Sequence, residues 1–249
     1  MSAVLHNEIF YDRYFSTCFG QYELPDKSAI FRAYEGLYSD WLPKEKNVTI
    51  LDLGAGLGLL VAWLRNAGFP NVTGVEPSGE QCAAALHHYD IELVMTKDVK
   101  GYLSENQHCF DVVFLTDVIE HVPKPHMPEY LSNIMQALKP GGCLNLRTDN
   151  MASPIGAYQY RMDFTHEYCF TERSLQQLLS TVGFERIVVR GERYNVGRRP
   201  AALKRAIIRW MWWRVLEQLY EAERPMAVNP RIFSKNLIAK CYRPEFAYS

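Results

Sequence analysis

The residues best suited to chemistry begin at Asp52. The run VTILDLG (48–54) is apolar and rich in β-branched residues, and glycines follow at Gly54, Gly56 and Gly58. Such a turn lets the backbone approach a ligand closely, and a helix starting after it aims its N–H groups at that ligand. Glu76 stands roughly 20 residues after the turn, where a carboxylate can accept both hydroxyls of a ribose. A dinucleotide fingerprint would need glycine at position 59, which is Leu59. The spacing G-x-G-x-G after a strand and before a helix therefore predicts a nucleotide-like ligand of another kind.

Two histidine clusters follow. Asp117, Glu120 and His121 stand at i, i+3 and i+4 and share one face if the stretch is helical. Two carboxylates and an imidazole could take Mg²⁺ or Mn²⁺. The plainer reading, a Glu-His pair that caps a helix and shapes the loop without metal, is preferred here. The second cluster is Arg161, Asp163, His166 and Glu167, too polar for a buried connection. Asp163 could orient His166, and His166 could take a proton from an acceptor hydroxyl. The bland alternative is that Thr171 caps the next helix and His166 only braces the loop.

The elements that must position these groups alternate in type. A helix is expected over 28–41, from the spacing of Phe31, Tyr34, Leu37, Tyr38 and Trp41. Strands are expected over 48–54, 72–75, 91–95, 110–115, 142–147, 185–190 and 236–242. Helices are expected over 59–67, 79–89, 130–138, 174–182 and 201–221. Strands alternating with helices argue for a mostly parallel sheet covered on both faces.

Composition narrows the class. The chain has 249 residues and a net charge of -1, without the basic excess of a nucleic-acid binder. No apolar run approaches the ~20 residues that span a bilayer. The N-terminus lacks the pattern of a signal peptide. Six cysteines without a CxxC pair read as reduced thiols in a cytoplasmic protein.

Taken together, LDLGAGLG (51–58), GVEPS (74–78), FDVVFLTDVIEHV (110–122), LKPGG (138–142) and TVGF (181–184) stand in the order and spacing of class I S-adenosylmethionine-dependent methyltransferases, which the chain resembles over roughly 45–190 and the last strand. The resemblance implies a Rossmann-like α/β fold with a seven-stranded sheet, an antiparallel last strand, and S-adenosyl-L-methionine as cofactor. It implies that Gly54, Ala55, Gly56 and Gly58 line the methionine and ribose, with Asp52 near the methionine ammonium. Glu76 would hold the ribose hydroxyls, with Pro77 beside it. Asp98 and Val99 would meet the adenine, and Thr116 and Asp117 would lie near the methionine. The D-x-T-H-E-x-x-F-T-x-x-S-L pattern is similar to methyltransferases of bacterial surface-polysaccharide (O-antigen) clusters. The D-x-x-E-H pattern resembles ubiquinone-pathway O-methyltransferases, where it can hold a divalent cation.

Between the last two strands lie over forty residues where a short hairpin would suffice. Residues 185–214 carry nine basic and two acidic side chains, and Trp210, Trp212 and Trp213 follow one another closely. Three readings compete for the 201–221 helix: packing on the body or on a second copy in a homodimer, peripheral contact with a membrane through 198–219, or a lid gripping phosphate or acidic sugar. The expectation is one methyltransferase domain over 1–249. It comprises an aromatic cap (1–46), a cofactor core (47–190), a helical insertion (191–234) and a last strand (235–249). The main acceptor reading is a sugar hydroxyl of a surface polysaccharide or its precursor, modified at the inner face of the membrane. The alternative within enzymes is a small aromatic or quinone-type metabolite. A non-catalytic binding protein is disfavoured by the intact Asp52, glycine turn and Glu76.

Overall fold

The computed structural model describes residues 11–19, 24–193, 200–225 and 228–245. Seven strands form one sheet in the order β3-β2-β1-β4-β5-β7-β6. They are β1 (Ile50–Leu53), β2 (Val72–Glu76), β3 (Val94–Met95), β4 (Phe110–Thr116), β5 (Leu138–Asp149), β6 (Glu185–Gly191) and β7 (Asn236–Tyr242). All pairings are parallel except those of β7, which runs antiparallel to β5 and β6. The expected fold class is borne out.

The sheet is covered on both faces because successive strand residues alternate sides. Leu51, Leu53, Val113, Leu115, Leu144 and Leu146 pack in one core cluster with Leu103 of α4 (Val99–Glu105), Leu131 and Ile134 of α5 (Met127–Ala137), and Leu175 and Leu179 of α7 (Glu172–Val182). Ile50, Val112, Phe114 and Ile238 pack in the other. Their partners are Leu37 and Tyr38 of α1 (Lys27–Tyr38), Leu60, Val61 and Leu64 of α2 (Leu59–Asn66), and Ala85 of α3 (Gly79–Tyr89). The order reverses between β1 and β4, so a crevice opens at the carboxyl ends of these neighbours, where open α/β sheets bind ligands.

Several boundaries differ from expectation. The first helix stops at Tyr38 and tightens into a 3₁₀ turn, Ser39–Trp41. Strand β3 keeps only its last two residues, because Ile91 is buried beneath the glycine turn, 2.7 Å from where a Cβ on Gly58 would stand. The expected turn at 139–142 lies inside β5, with the irregularity absorbed by a register shift opposite Phe110 and Val112. Two short helices went unpredicted, α4, which Asp98 caps, and α6 (Gly156–Met162). The long helix of the insertion, α8, runs over Pro200–Glu223. Arg198 and Arg199 lie outside the described residues. Among the described residues, no helix is long and apolar enough to cross a membrane.

Candidate cofactor and acceptor site

A cleft of about 1060 Å³ runs across the carboxyl ends of the central strands. Asp52, Gly54, Ala55, Gly56, Glu76, Pro77, Asp98, Val99, Thr116, Asp117, Glu120, His121, Asp163 and His166 all line it. Gly58, expected beside them, does not line the cleft and instead caps the start of α2 with a φ of 70°.

The glycine turn has its residues for steric reasons. Gly54, Gly56 and Gly58 have φ of 77, 54 and 70°, the left-handed region that other residues avoid. A Cβ on Gly54 would also stand 2.4 Å from Val118 Cγ2. The turn is held by Glu76, which is buried and accepts from Gly56 N at 2.8 Å, Ser78 N at 2.9 Å and Gln81 Nε2 at 3.3 Å. Burial raises the Glu76 carboxyl, against the lowering by its two backbone donors. Three of its roughly four acceptor sites are filled, leaving one for a ligand hydroxyl. Asp52 is buried too, but its Oδ2 has no partner. Burial, then the neighbouring Glu76, pushes its pKa up to about 7. An uncompensated buried carboxylate facing a ligand cleft is the signature of a site waiting for a cation. The ammonium and sulfonium of S-adenosyl-L-methionine fit that demand, and the turn and Glu76 fit its ribose.

The acceptor side is built by β5 and the loop after α6. The sequence reading paired Asp163 with His166, and the structure pairs them otherwise. His166 Nδ1 lies 3.5 Å from Asp149 Oδ2, a long contact between two nearly buried side chains. Asp163 instead accepts from Tyr14 Oη at 2.5 Å and from Thr165 N and Oγ1 at 2.9 and 2.7 Å. Thr165 Oγ1 in turn stands 2.8 Å from His121 Nδ1. The hydroxyl has one proton, given to Asp163, so Nδ1 of His121 must donate and Nε2 keeps its lone pair. Burial, then the adjacent His166, pushes the His121 pKa down to about 4, which keeps this ring neutral. The two imidazoles lie edge to face, 4.7 Å apart. The loop is fixed by Glu167 N and Tyr168 N, which both donate to the Glu120 carbonyl.

The proposed metal set changes as well. The stretch after β4 is a 3₁₀ turn, Ile119–His121, and Asp117 precedes it with φ of 55°, so the three residues do not share a helical face. Asp117 is bound by the Arg147 guanidinium through both oxygens. The ligand atoms that do converge, all within 4.8 Å of one another, belong to Glu120, His121 and His166. Glu120 accepts from Thr148 Oγ1 at 2.9 Å, and burial raises its carboxyl well above the usual range.

Arg147, Asp149 and Tyr130 are lining residues not anticipated from the sequence, and the aromatic cap expected over 1–46 supplies the roof. Tyr11, Tyr14 and Tyr34 from the N-terminal region line the cleft, with Tyr130 of α5. Tyr11 and Tyr14 set their rings against His121 at 6.4 and 6.3 Å. Charged residues closing the apolar run of β5, LNLRTD, were the available signal.

In the basic stretch, Arg190 and Arg193 pair with Asp40 beyond α1, and Arg190 and Arg186 stack on Trp41 and Tyr242. These basic residues brace the body. No described residue of α8 lines the cleft.

Comparison with known proteins agrees with this geometry. Residues 27–189 match the family model of the methyltransferase domain. The mitochondrial ubiquinone biosynthesis O-methyltransferase of Rattus norvegicus is 37% identical over 108 residues, covering 41% of this chain and 30% of that protein. The ubiquinone biosynthesis O-methyltransferase of Paramagnetospirillum magneticum is 32% identical over 136 residues, covering 53% of this chain and 47% of that protein. The chain thus spans less than half the length of these two relatives. Among solved structures, a SAM-dependent methyltransferase from Archaeoglobus fulgidus superposes with a TM-score of 0.62 at 15% identity, covering 94% of this chain and 98% of that one. Phosphoethanolamine N-methyltransferase 2 of Haemonchus contortus, in complex with S-adenosyl-L-methionine, gives 0.57 at 16% identity, covering 94% and 60%. The cofactor expectation, S-adenosyl-L-methionine, is borne out at the level of the family. The family model spans well over half of the chain and the fold agrees, so the chain belongs to the methyltransferase-domain family, with the class I architecture.

Proposed function

We propose that the protein transfers a methyl group from S-adenosyl-L-methionine to a hydroxyl oxygen of a small aromatic or quinone-type molecule, with His166 taking the hydroxyl proton. The observation that carries it is His166, backed by Asp149, in a cleft roofed by Tyr11, Tyr14, Tyr34 and Tyr130. When bound, the cofactor supplies a methyl already activated on a sulfonium. The chain then has to align an acceptor, exclude water and receive one proton. Tyrosine rings suit a flat aromatic acceptor. His121, held neutral at a pKa of about 4, is a weak base and positions the neighbouring His166. The relatives above are named for ubiquinone biosynthesis, which favours a phenolic oxygen over the sugar hydroxyl expected from the D-x-T-H-E pattern.

A second reading rests on the convergence of Glu120, His121 and His166. A divalent cation held there would lower the pKa of a bound hydroxyl, and His166 would then be a ligand. One assay tests both readings. Purified protein with S-adenosyl-L-methionine is offered a catechol and a free sugar, with and without a chelator. Methylation of the catechol at least ~10-fold faster than the sugar, unchanged by chelator, is expected. Loss of activity on chelation transfers the role to the metal, and preferential methylation of the sugar overturns the aromatic acceptor.

A further inference from the structure

We propose that α8 is a docking surface for an anionic lipid bilayer, independent of which acceptor the cleft takes. The helix presents apolar residues on two opposite sides. Tyr220 stacks on the buried Phe233 at 6.0 Å, and Ala206, Trp213 and Leu216 share that half-buried, body-facing side. Ile207, Met211 and Val215, spaced by four, form the opposite stripe, with Ile208 and Leu219 beside it. All five are exposed, as are Leu203, Trp210 and Trp212, and Trp210 and Trp212 are 64 and 57% accessible. Monomers rarely leave a continuous apolar stripe of this kind facing water.

Charge decides what covers it. From 200 to 216 the helix carries Lys204, Arg205, Arg209 and Arg214 and no acidic residue until Glu217, which pairs with Arg214 at 2.8 Å, and Arg209 lies on the half-buried side. On the helical wheel, Trp212 with Arg205 borders the stripe on one side and Trp210 with Arg214 on the other, while Lys204 near its amino-terminal end and Gln218 near its carboxyl-terminal end fall within it. Tryptophan at the edges, cations beside it and aliphatic residues between them match the layering of a bilayer interface: headgroup phosphates, ester region, acyl chains. A second copy of the chain fits poorly. A two-fold contact centred on residues 200–211 would bring Lys204 and Arg205 of both copies together with no carboxylate among those residues to pair them.

The location makes the contact useful. The carboxyl end of β6 and the amino end of β7 both lie on the edge of the sheet where the cleft opens, because β7 is antiparallel. The insertion that contains α8 leaves and returns on that edge, and Lys235 and Asn236, where it returns, line the cleft. A bilayer against α8 would meet the protein on the side from which an apolar acceptor must enter.

The full-length protein should co-sediment with vesicles of phosphatidylcholine and phosphatidylglycerol, and at least ~10-fold less with phosphatidylcholine alone or in high salt. Lys204→Glu with Arg205→Glu should weaken binding at least ~10-fold, and Trp212→Ala several-fold, with unchanged melting temperature and cofactor binding. Failure to bind anionic vesicles overturns the proposal, and so does binding that both variants retain. A concentration-dependent dimer in ultracentrifugation that Trp212→Ala dissolves, without vesicle binding, assigns the stripe to a second copy instead.

Discussion

Replacing His166 with Gln is expected to lower the rate of methyl transfer at least ~100-fold while leaving cofactor affinity within about 2-fold of wild type. His166 lies in the acceptor half of the cleft, and Asp52 and Glu76 lie in the cofactor half, so the two effects should separate. Gln keeps a polar side chain of similar reach, so the fold of the loop should survive. The loop is held by backbone bonds from Glu167 and Tyr168 and by Asp163, none of which uses the His166 ring. Asp149→Asn should cost less than His166→Gln, since the imidazole remains and only its orientation and the stabilisation of its charged form are lost. The 3.5 Å separation is expected to shorten when an acceptor hydroxyl binds beside the imidazole. Steady-state kinetics with a catechol acceptor, beside calorimetric titration of the cofactor, provides both readouts. An unchanged rate in His166→Gln removes the residue from the chemistry.

The cofactor half was legible in the sequence because its requirements are local. A left-handed glycine turn, a preceding Asp and a carboxylate one βα unit later are set by neighbours in sequence, and Asp52, Gly54 and Glu76 stand in the cleft as expected. The acceptor half depends on distant contacts. Asp163 sits three residues from His166, and proximity in sequence suggested a pair. The chain path instead turns Asp163 toward Tyr14, which is 149 residues away, and leaves Asp149 at the end of β5 to face the imidazole. Asp117 was lost to the metal set for the same reason, since its partner Arg147 belongs to a neighbouring strand. Strand pairing decides such contacts, and no periodicity within one segment records it. The short helices α4 and α6 escaped because about two turns of sequence carry too little pattern.

Replacing Asp52 with Asn should stabilise the free protein and at the same time weaken cofactor binding. The sign follows from the raised pKa. The unfolded chain ionises this carboxyl near 3.8, whereas the folded one holds its proton to about 7. Between those values the unfolded state binds fewer protons, so Asp52 makes folding less favourable as pH rises through the window, with the full cost present above pH 7. At about 1.4 kcal/mol per pH unit that cost is of order 4 kcal/mol. Asn carries no charge at any pH, so the variant should gain most over wild type at pH 8 and little at pH 4. At about 2–4 °C per kcal/mol for a chain of this size, the gain at pH 8 is on the order of 10 °C in Tm. Cofactor binding should move the other way. A cationic ligand group lowers the pKa of Asp52, so binding at pH 6 should release up to about one proton in wild type and none from this site in the variant. Calorimetry in buffers of different ionisation enthalpy measures that release. Loss of the charge pairing should weaken affinity by roughly 30–100-fold, about 2–3 kcal/mol. A structural Asp would behave oppositely, with the variant less stable and affinity unchanged, and that outcome would take Asp52 out of the binding site. The gain in stability and the loss of binding have one source, the buried Oδ2 that the protein itself leaves without a partner.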